Sequence, residues 1–343
     1  RNRKKPEMTV PISCFTKLRT DSLMQRNRTK FAQYVEDFFE YEKSPYIQYR
    51  LMRGFTFSKS HSENLARSLK DILVPEFGKF NLKDISPKCI ENWLFSLSKK
   101  NYSNRTINSF FYILKVILSE AKRLGDIEKN PTEAVKPLAN NYRAKGVLVK
   151  EEVSALFDND ALNTKWEGNE LQYTLVKILS KTGMRVGEAQ ALQKEDVKET
   201  HITVRHSWDR KYGIKGTKTG KVRTVPIDEE TYKALYNFSR KQKEGSYIFS
   251  FDGGRQPVDH KCIQKWYYRA LKNIGITDEI RRERNLTLHS WRYYVNSQLR
   301  LKGIPDSVVQ SITGHSTQSM TEHYTQYSTE DLCNIFMREE EGE

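Results

Sequence analysis

Several patterns are missing from this 343-residue chain, and each absence argues against a class of function. Its four cysteines, Cys14, Cys89, Cys262 and Cys333, are scattered with no C-x-x-C pair. That speaks against a thiolate zinc site or a disulfide framework and for a reducing compartment, the cytoplasm. No apolar run approaches the roughly 18 residues of a membrane span, and no signal peptide opens the sequence. Carboxylates do not cluster with the basic motifs, as a metal-dependent nuclease would require, so no metal ligands are assigned. The loop G-T-K-T-G-K looks at first like a nucleotide-binding P-loop. It fails, because no glycine sits five before Gly220, and Val222 follows Lys221 where Ser or Thr would hold magnesium.

What the chain has in excess is positive charge, with 58 Lys and Arg against 43 Asp and Glu and a formal net charge of +15. Residues 1–145 hold 28 of the basic and 15 of the acidic side chains, so most of the surplus lies there. Such a balance favours a polyanion, and nucleic acid over a membrane surface because no basic amphipathic anchor stands out. The length predicts two domains, each able to bury a core.

Residues 1–28 read as a basic N-terminal arm or the remnant of an arm-binding module. From Thr29, apolar Phe31, Val35, Phe38 and Phe39 predict a helix that Ser44 and Pro45 end. Leu65, Leu69, Ile72 and Leu73 mark a second. Ser86 and Pro87 are a cap and first-turn pair for a third, with Ile90, Leu94 and Leu97 inward. Ser103 caps the longest, lined by Ile107, Phe110, Phe111, Leu114, Ile117, Leu118 and Ala121 and stopped by Gly125. Its other face carries Arg105, Asn108, Tyr112, Lys115 and Lys122, which suits a solvated face as well as contact with DNA. An all-α domain over 29–136 follows, then a turn-rich basic linker over 137–148.

Beyond the linker, helical spacing returns in Glu151 to Phe157 and Leu171 to Leu179, the latter stopped by Gly183. H-I-T-V-R-H-S-W (201–208) and K-V-R-T-V-P-I (221–227) alternate as strands of a small antiparallel sheet, flanked by a lysine-rich glycine loop. Lys221 and Arg223 join the candidate DNA contacts. Further helices are predicted near Asp228 to Arg240, Val258 to Lys272 and Leu288 to Lys302. The second domain spans 149–328, and Leu332, Ile335 and Phe336 mark a C-terminal tail helix over 329–343 able to dock on its own or a neighbouring subunit.

Residues 286–327 concentrate the chemistry. His289 and Arg292, three apart, leave one helix face; Gly314 and His315 follow a helix-ending turn, and Tyr324 lies nine residues beyond His315. Cations, donors and a tyrosine in one stretch are what attack on a phosphodiester needs. Each residue alone also fits a duller role in a core or an ion pair. Tyr293 and Tyr327 are chemically competent too, without the nine-residue offset, and His323 is read as structural or solvent-facing.

Taken in order, T-G-M-R-V-G-E-A-Q-A-L (182–192), H-S-W-R, T-G-H-S and Tyr324 resemble the signature of the tyrosine recombinases, the integrases of phages and conjugative transposons. The resemblance extends from Thr29 to Phe336. It implies a two-domain clamp, mainly α with a small antiparallel sheet in the second domain: a helical core-binding domain and an α+β catalytic domain. It further implies that Arg185 and Arg292 hold the scissile phosphate, with Glu188 orienting Arg185. Lys218, eight residues before Pro226, would protonate the leaving 5′ oxygen, with Lys215 and Lys221 as rivals. His289 would take the proton of the nucleophile Tyr324, and His315 would donate to the phosphate. The product would be a 3′-phosphotyrosyl link that a second 5′ hydroxyl can reverse, with no cofactor. The implied partners are double-stranded DNA at element ends and target, a homotetramer in the synaptic complex, and accessory excision or DNA-bending proteins. Two other readings remain open here: a type IB topoisomerase-like enzyme that nicks and reseals, and a catalytically silent architectural DNA binder.

Overall fold

The structure, a computed structural model, describes residues 29–139, 145–217, 220–327 and 331. The arm expected over 1–28, Lys218, residues 140–144 of the expected linker and the tail helix apart from Asp331 lie outside the described residues. The chain divides into two compact units, Arg1–Tyr142 and Arg143–Glu343.

Helices α1 (Phe31–Tyr34), α2 (Pro45–Met52), α3 (Lys59–Ser68), α4 (Val74–Phe77), α5 (Pro87–Lys99) and α6 (Asn104–Leu124) build the first unit. The helix predicted from Thr29 is shorter than its apolar spacing implied, because residues 35–39 turn away after Tyr34. Ser44 and Pro45, read as a stop, are a start. The Ser44 Oγ accepts from the Ile47 N–H at 3.2 Å and Pro45 occupies the first turn of α2. Ser86 and Pro87 open α5 in the same way, with the Cys89 N–H donating to Ser86 Oγ at 3.2 Å. Between α3 and α4 the helix widens into a π-turn at Leu69–Leu73, ending two residues before Pro75, which has no N–H for the next rung.

The α6 helix runs as its sequence predicts, from a Ser103 cap to Gly125, which takes the left-handed conformation (φ 81°) that its missing Cβ allows. It buries Ile107, Phe111, Leu114, Ile117, Leu118 and Ala121 in an aromatic-rich core with Phe31, Phe77 and Trp93. Each such side chain contributes about 1.5–3 kcal/mol relative to exposure.

The second unit holds α7 (Lys150–Phe157), α8 (Ala161–Thr164), α9 (Glu170–Thr182), α10 (Val186–Gln190), four strands, then α11 (Glu229–Lys241), α12 (His260–Asn273), α13 (Asp278–Glu283), α14 (Ser290–Leu301), α15 (Asp306–Thr313) and α16 (Gln318–His323). The stretch read as one strand over 201–208 breaks at Arg205 into β1 (His201–Val204) and β2 (His206–Asp209). Strand β4 (Arg223–Pro226) pairs antiparallel with β1, Val204 opposite Arg223. The glycine-punctuated loop contains β3 (Gly213–Gly216), antiparallel to β2 with His206 opposite Gly216. The fold is therefore mainly α with small antiparallel sheets in the second unit, as expected. Its core surrounds α9 and α14, with Leu175, Leu179, Ile202, Val225, Tyr267 and Trp291 buried together.

Candidate active site

Four segments of the second unit converge: the α9–α10 turn, the start of β4, the N-terminus of α14 and the stretch from Thr313 to Tyr324. Arg292 lies at their centre and is 1 % exposed. Two helices end on it. The α9 and α15 helices each terminate in a Thr-Gly pair whose glycine is left-handed, Gly183 at φ 62° and Gly314 at φ 70°. Their unpaired carbonyls, carrying the partial negative charge of a helix C-terminus, accept the fork of Arg292: Nη1 donates to Gly183 O at 3.0 Å and Nη2 to Thr313 O. The Nε donates to His315 Nε2 at 3.2 Å. A guanidinium has five N–H groups, so two remain after these three bonds.

With its Nε2 accepting, neutral His315 carries its proton on Nδ1 and donates it to Thr321 Oγ1 at 3.2 Å. Both ring nitrogens therefore have protein partners. The ring stacks on that of Tyr324, centroids 4.5 Å apart and planes 21° from parallel. Burial, then the charges of Arg292 and Arg185, pushes the His315 imidazole down to about 3. His289 is the residue before α14, and its Nε2 lies 3.1 Å from the Tyr324 hydroxyl. Burial, then the charges of Arg292, Arg185 and Lys145, lowers His289 to about 4. Both imidazoles are neutral at pH 7, and His289 is a proton acceptor within reach of a tyrosine O–H.

Arg185 caps α10. Its backbone N–H and its Nη1 each donate to Glu188, both at 2.9 Å, and its side chain keeps about a fifth of its surface open. Glu188 is 2 % exposed. Burial would raise its carboxyl, but hydrogen bonds and charge from Arg223, with the charge of Arg185, outweigh burial and hold it below the ordinary carboxylate value.

The Tyr324 segment is strapped to α14. Asn296 Nδ2 donates to Thr321 O and to Thr325 Oγ1, each at 3.0 Å; Ser297 Oγ accepts from the Gln326 N–H at 2.7 Å; and Arg300 Nη1 donates to Thr325 Oγ1 at 2.7 Å. Tyr293, one of the alternative tyrosines, is buried with its hydroxyl 3.3 Å from His323 Nε2, and Tyr327 is 36 % exposed.

The structure thus gathers Arg185, Glu188, His289, Arg292, His315 and Tyr324, while Lys218 lies outside the described residues. Two candidate DNA contacts are corrected. Arg223 points inward, its two Nη groups on Glu188 at 3.0 and 2.6 Å and its Nε on Ile312 O at 2.9 Å, and its side chain is too enclosed to lie along a duplex. The signal was there: Arg223 lies two residues from inward-facing Val225 and so shares its face of β4. Asn108 is likewise committed, its amide exchanging bonds of 2.8 and 2.9 Å with the backbone of Leu138. Arg105, Tyr112, Lys115 and Lys221 are exposed, as is Lys122, which pairs with Glu133 at 2.8 Å. Thr321 and Asn296 carried no motif and were not foreseen.

The family model of the phage integrase family matches residues 147–331. A tyrosine recombinase of Thermosipho africanus is 26% identical over 75% of this chain and 87% of its own length. The Tn1549 transposon integrase, solved in complex with transposon right end DNA, superposes with a TM-score of 0.66 at 22% identity, covering 86% of this chain and 97% of that one. A lambda integrase tetramer bound to a Holliday junction gives 0.64 at 16% identity, covering 92% and 84%. These two structures share the fold. The chain belongs to the phage integrase family and is a tyrosine-type DNA recombinase.

Proposed function

We propose that this chain cuts and rejoins DNA at the ends of a mobile element, with Tyr324 as the nucleophile. The observation that carries the reading is the 3.1 Å approach of His289 Nε2 to the Tyr324 hydroxyl beside Arg292. The Tyr324 oxygen attacks the scissile phosphorus, its proton passes to His289, and the bond to the 5′ oxygen breaks. Lys218 delivers a proton to that leaving oxygen. Arg185 and the two uncommitted N–H groups of Arg292 hold the nonbridging oxygens as charge shifts onto them; losing one such preorganised donor costs on the order of 10² to 10³ in rate. His315 orients Arg292 and the tyrosine ring. A second 5′ hydroxyl attacks the phosphotyrosyl bond, restores the phosphodiester and frees Tyr324.

Residues 29–136 and 149–328 act as the two halves of a clamp on duplex DNA, joined by the 137–148 linker, with Arg105, Tyr112, Lys115, Lys122 and Lys221 on phosphates. Four copies pair two sites in the cytoplasm, the tail helix bridging neighbours, and accessory proteins bias the direction. Relatives named as recombinases and integrases favour paired-site exchange over topoisomerase-like relaxation. The test is a nicked suicide substrate carrying the element end. Wild type should become covalently attached, and Tyr324→Phe should bind with little change yet form no adduct. Site-independent relaxation of a supercoiled plasmid by the wild type, or an adduct in Tyr324→Phe, would overturn the reading.

A further inference from the structure

Arg223 is a largely enclosed cation at the site that the proposed reaction leaves without a role. It stands at the first position of β4, opposite Val204, directly after the loop that carries Lys218. Its side chain is 9 % exposed, too enclosed for a groove-facing phosphate contact. Both Nη groups grip the two oxygens of Glu188, a bidentate pair of the strong, planar kind. The same Glu188 Oε1 that takes Arg223 Nη1 also takes Arg185 Nη1. The third donor, Nε, holds Ile312 O in the last turn of α15. Gly314 completes the fit, since a Cβ there would meet the Arg223 Cδ, Nε and Cζ at 3.0–3.2 Å. One guanidinium therefore touches the carboxylate that holds Arg185 and the turn that leads into His315.

We infer that Arg223 is a positioning residue for strand cleavage, setting Arg185 through Glu188 and fixing the turn before His315, and that it makes no contact with DNA. Without it, Glu188 keeps its burial and its bonds from Arg185 but loses the bidentate pair that does most to hold its proton off. The carboxyl then protonates more readily and releases Arg185. Lysine is a poor substitute, because a single ammonium cannot span both oxygens and Ile312 O together.

The inference rests on the recombinase reading, and single-turnover cleavage of the suicide substrate separates the two: a wild type that forms no adduct defeats that reading. With the wild type active, Arg223→Ala should cleave on the order of 10²-fold more slowly while its DNA affinity stays within about threefold. The defect should be larger at pH 6 than at pH 8.5, since a raised Glu188 is ionised again at high pH. Arg223→Lys should recover only part of the rate. In a Glu188→Gln background, Arg223→Ala should add less than its effect alone, because both act on Arg185. Circular dichroism melting identifies a variant that fails to fold, in which case Arg223→Lys carries the test. A wild-type cleavage rate in either variant, a pH-independent defect, or a loss located in affinity with a shallower salt dependence would overturn the inference.

Discussion

At the residue scale, the site buries cations and imidazoles together, and burial first, then the neighbouring guanidinium charges, keeps the imidazoles neutral. His289 and His315 are held down to about 4 and 3, from an ordinary value of 6.5. In the unfolded chain both take up protons as pH drops through 6.5, whereas the folded chain resists until much lower. The stability they provide is thus complete above about pH 6.5 and is lost as pH falls toward 4. Melting temperature followed from pH 7 to 4 should drop less in His315→Asn than in wild type; equal drops would mean that His315 is not buried neutral. The H-x-x-R spacing and the nine residues from His315 to Tyr324 were legible because a helix and a turn fix those separations locally. The inward turn of Arg223 was harder to read, since a basic residue in a basic chain looks solvated until a strand register assigns its face.

At the scale of elements, the Thr-Gly ends of α9 and α15 do more than stop helices, because each aims an unpaired carbonyl at Arg292. Gly125 and Gly183 could be read as stops from sequence alone, as left-handed caps have a residue signature. Ser44 and Pro45 carry the same cap and first-turn signature as Ser86 and Pro87, and were read as a stop only because the apolar spacing before them suggested a helix on that side. The α14 strap was invisible, as Asn296 to Thr321 is a contact between distant segments of ordinary composition. Its consequence is measurable. Asn296→Ala removes two hydrogen bonds made by a fully buried amide, one to Thr321 O, which keeps its bond from Thr325 Oγ1, and one to Thr325 Oγ1; at about 0.5–1.5 kcal/mol each this costs about 1–3 kcal/mol. Urea unfolding should show that loss, and cleavage should fall more than DNA binding. Equal losses in both would mean that the strap supports the fold alone and does not present Tyr324.

At the scale of the whole molecule, a net charge of +15 predicts binding dominated by phosphate contacts and counterion release. A protein neutralising 6 or more phosphates loses about 10³ or more in affinity between 50 and 200 mM salt. The slope of log affinity against log salt should shrink by about 1 in Lys115→Ala or Arg105→Ala, whose side chains are exposed, and remain unchanged in Asn108→Ala. An unchanged slope in both Lys115→Ala and Arg105→Ala would take those residues off the phosphates. The two-unit division and the helical first unit were readable in composition and periodicity. The meeting of Arg185, His289 and Tyr324 was legible only through the family motifs, and the place of Arg223 beside them was not, because only tertiary structure joins segments so far apart in the chain.

The most direct test of the account is to identify the residue that carries DNA after reaction with a suicide substrate, by protease digestion and mass mapping of the wild-type adduct. A nucleotide-derived mass is expected on Tyr324 alone. A mass on Tyr293 or Tyr327, or on any residue in the Tyr324→Phe variant, would contradict it.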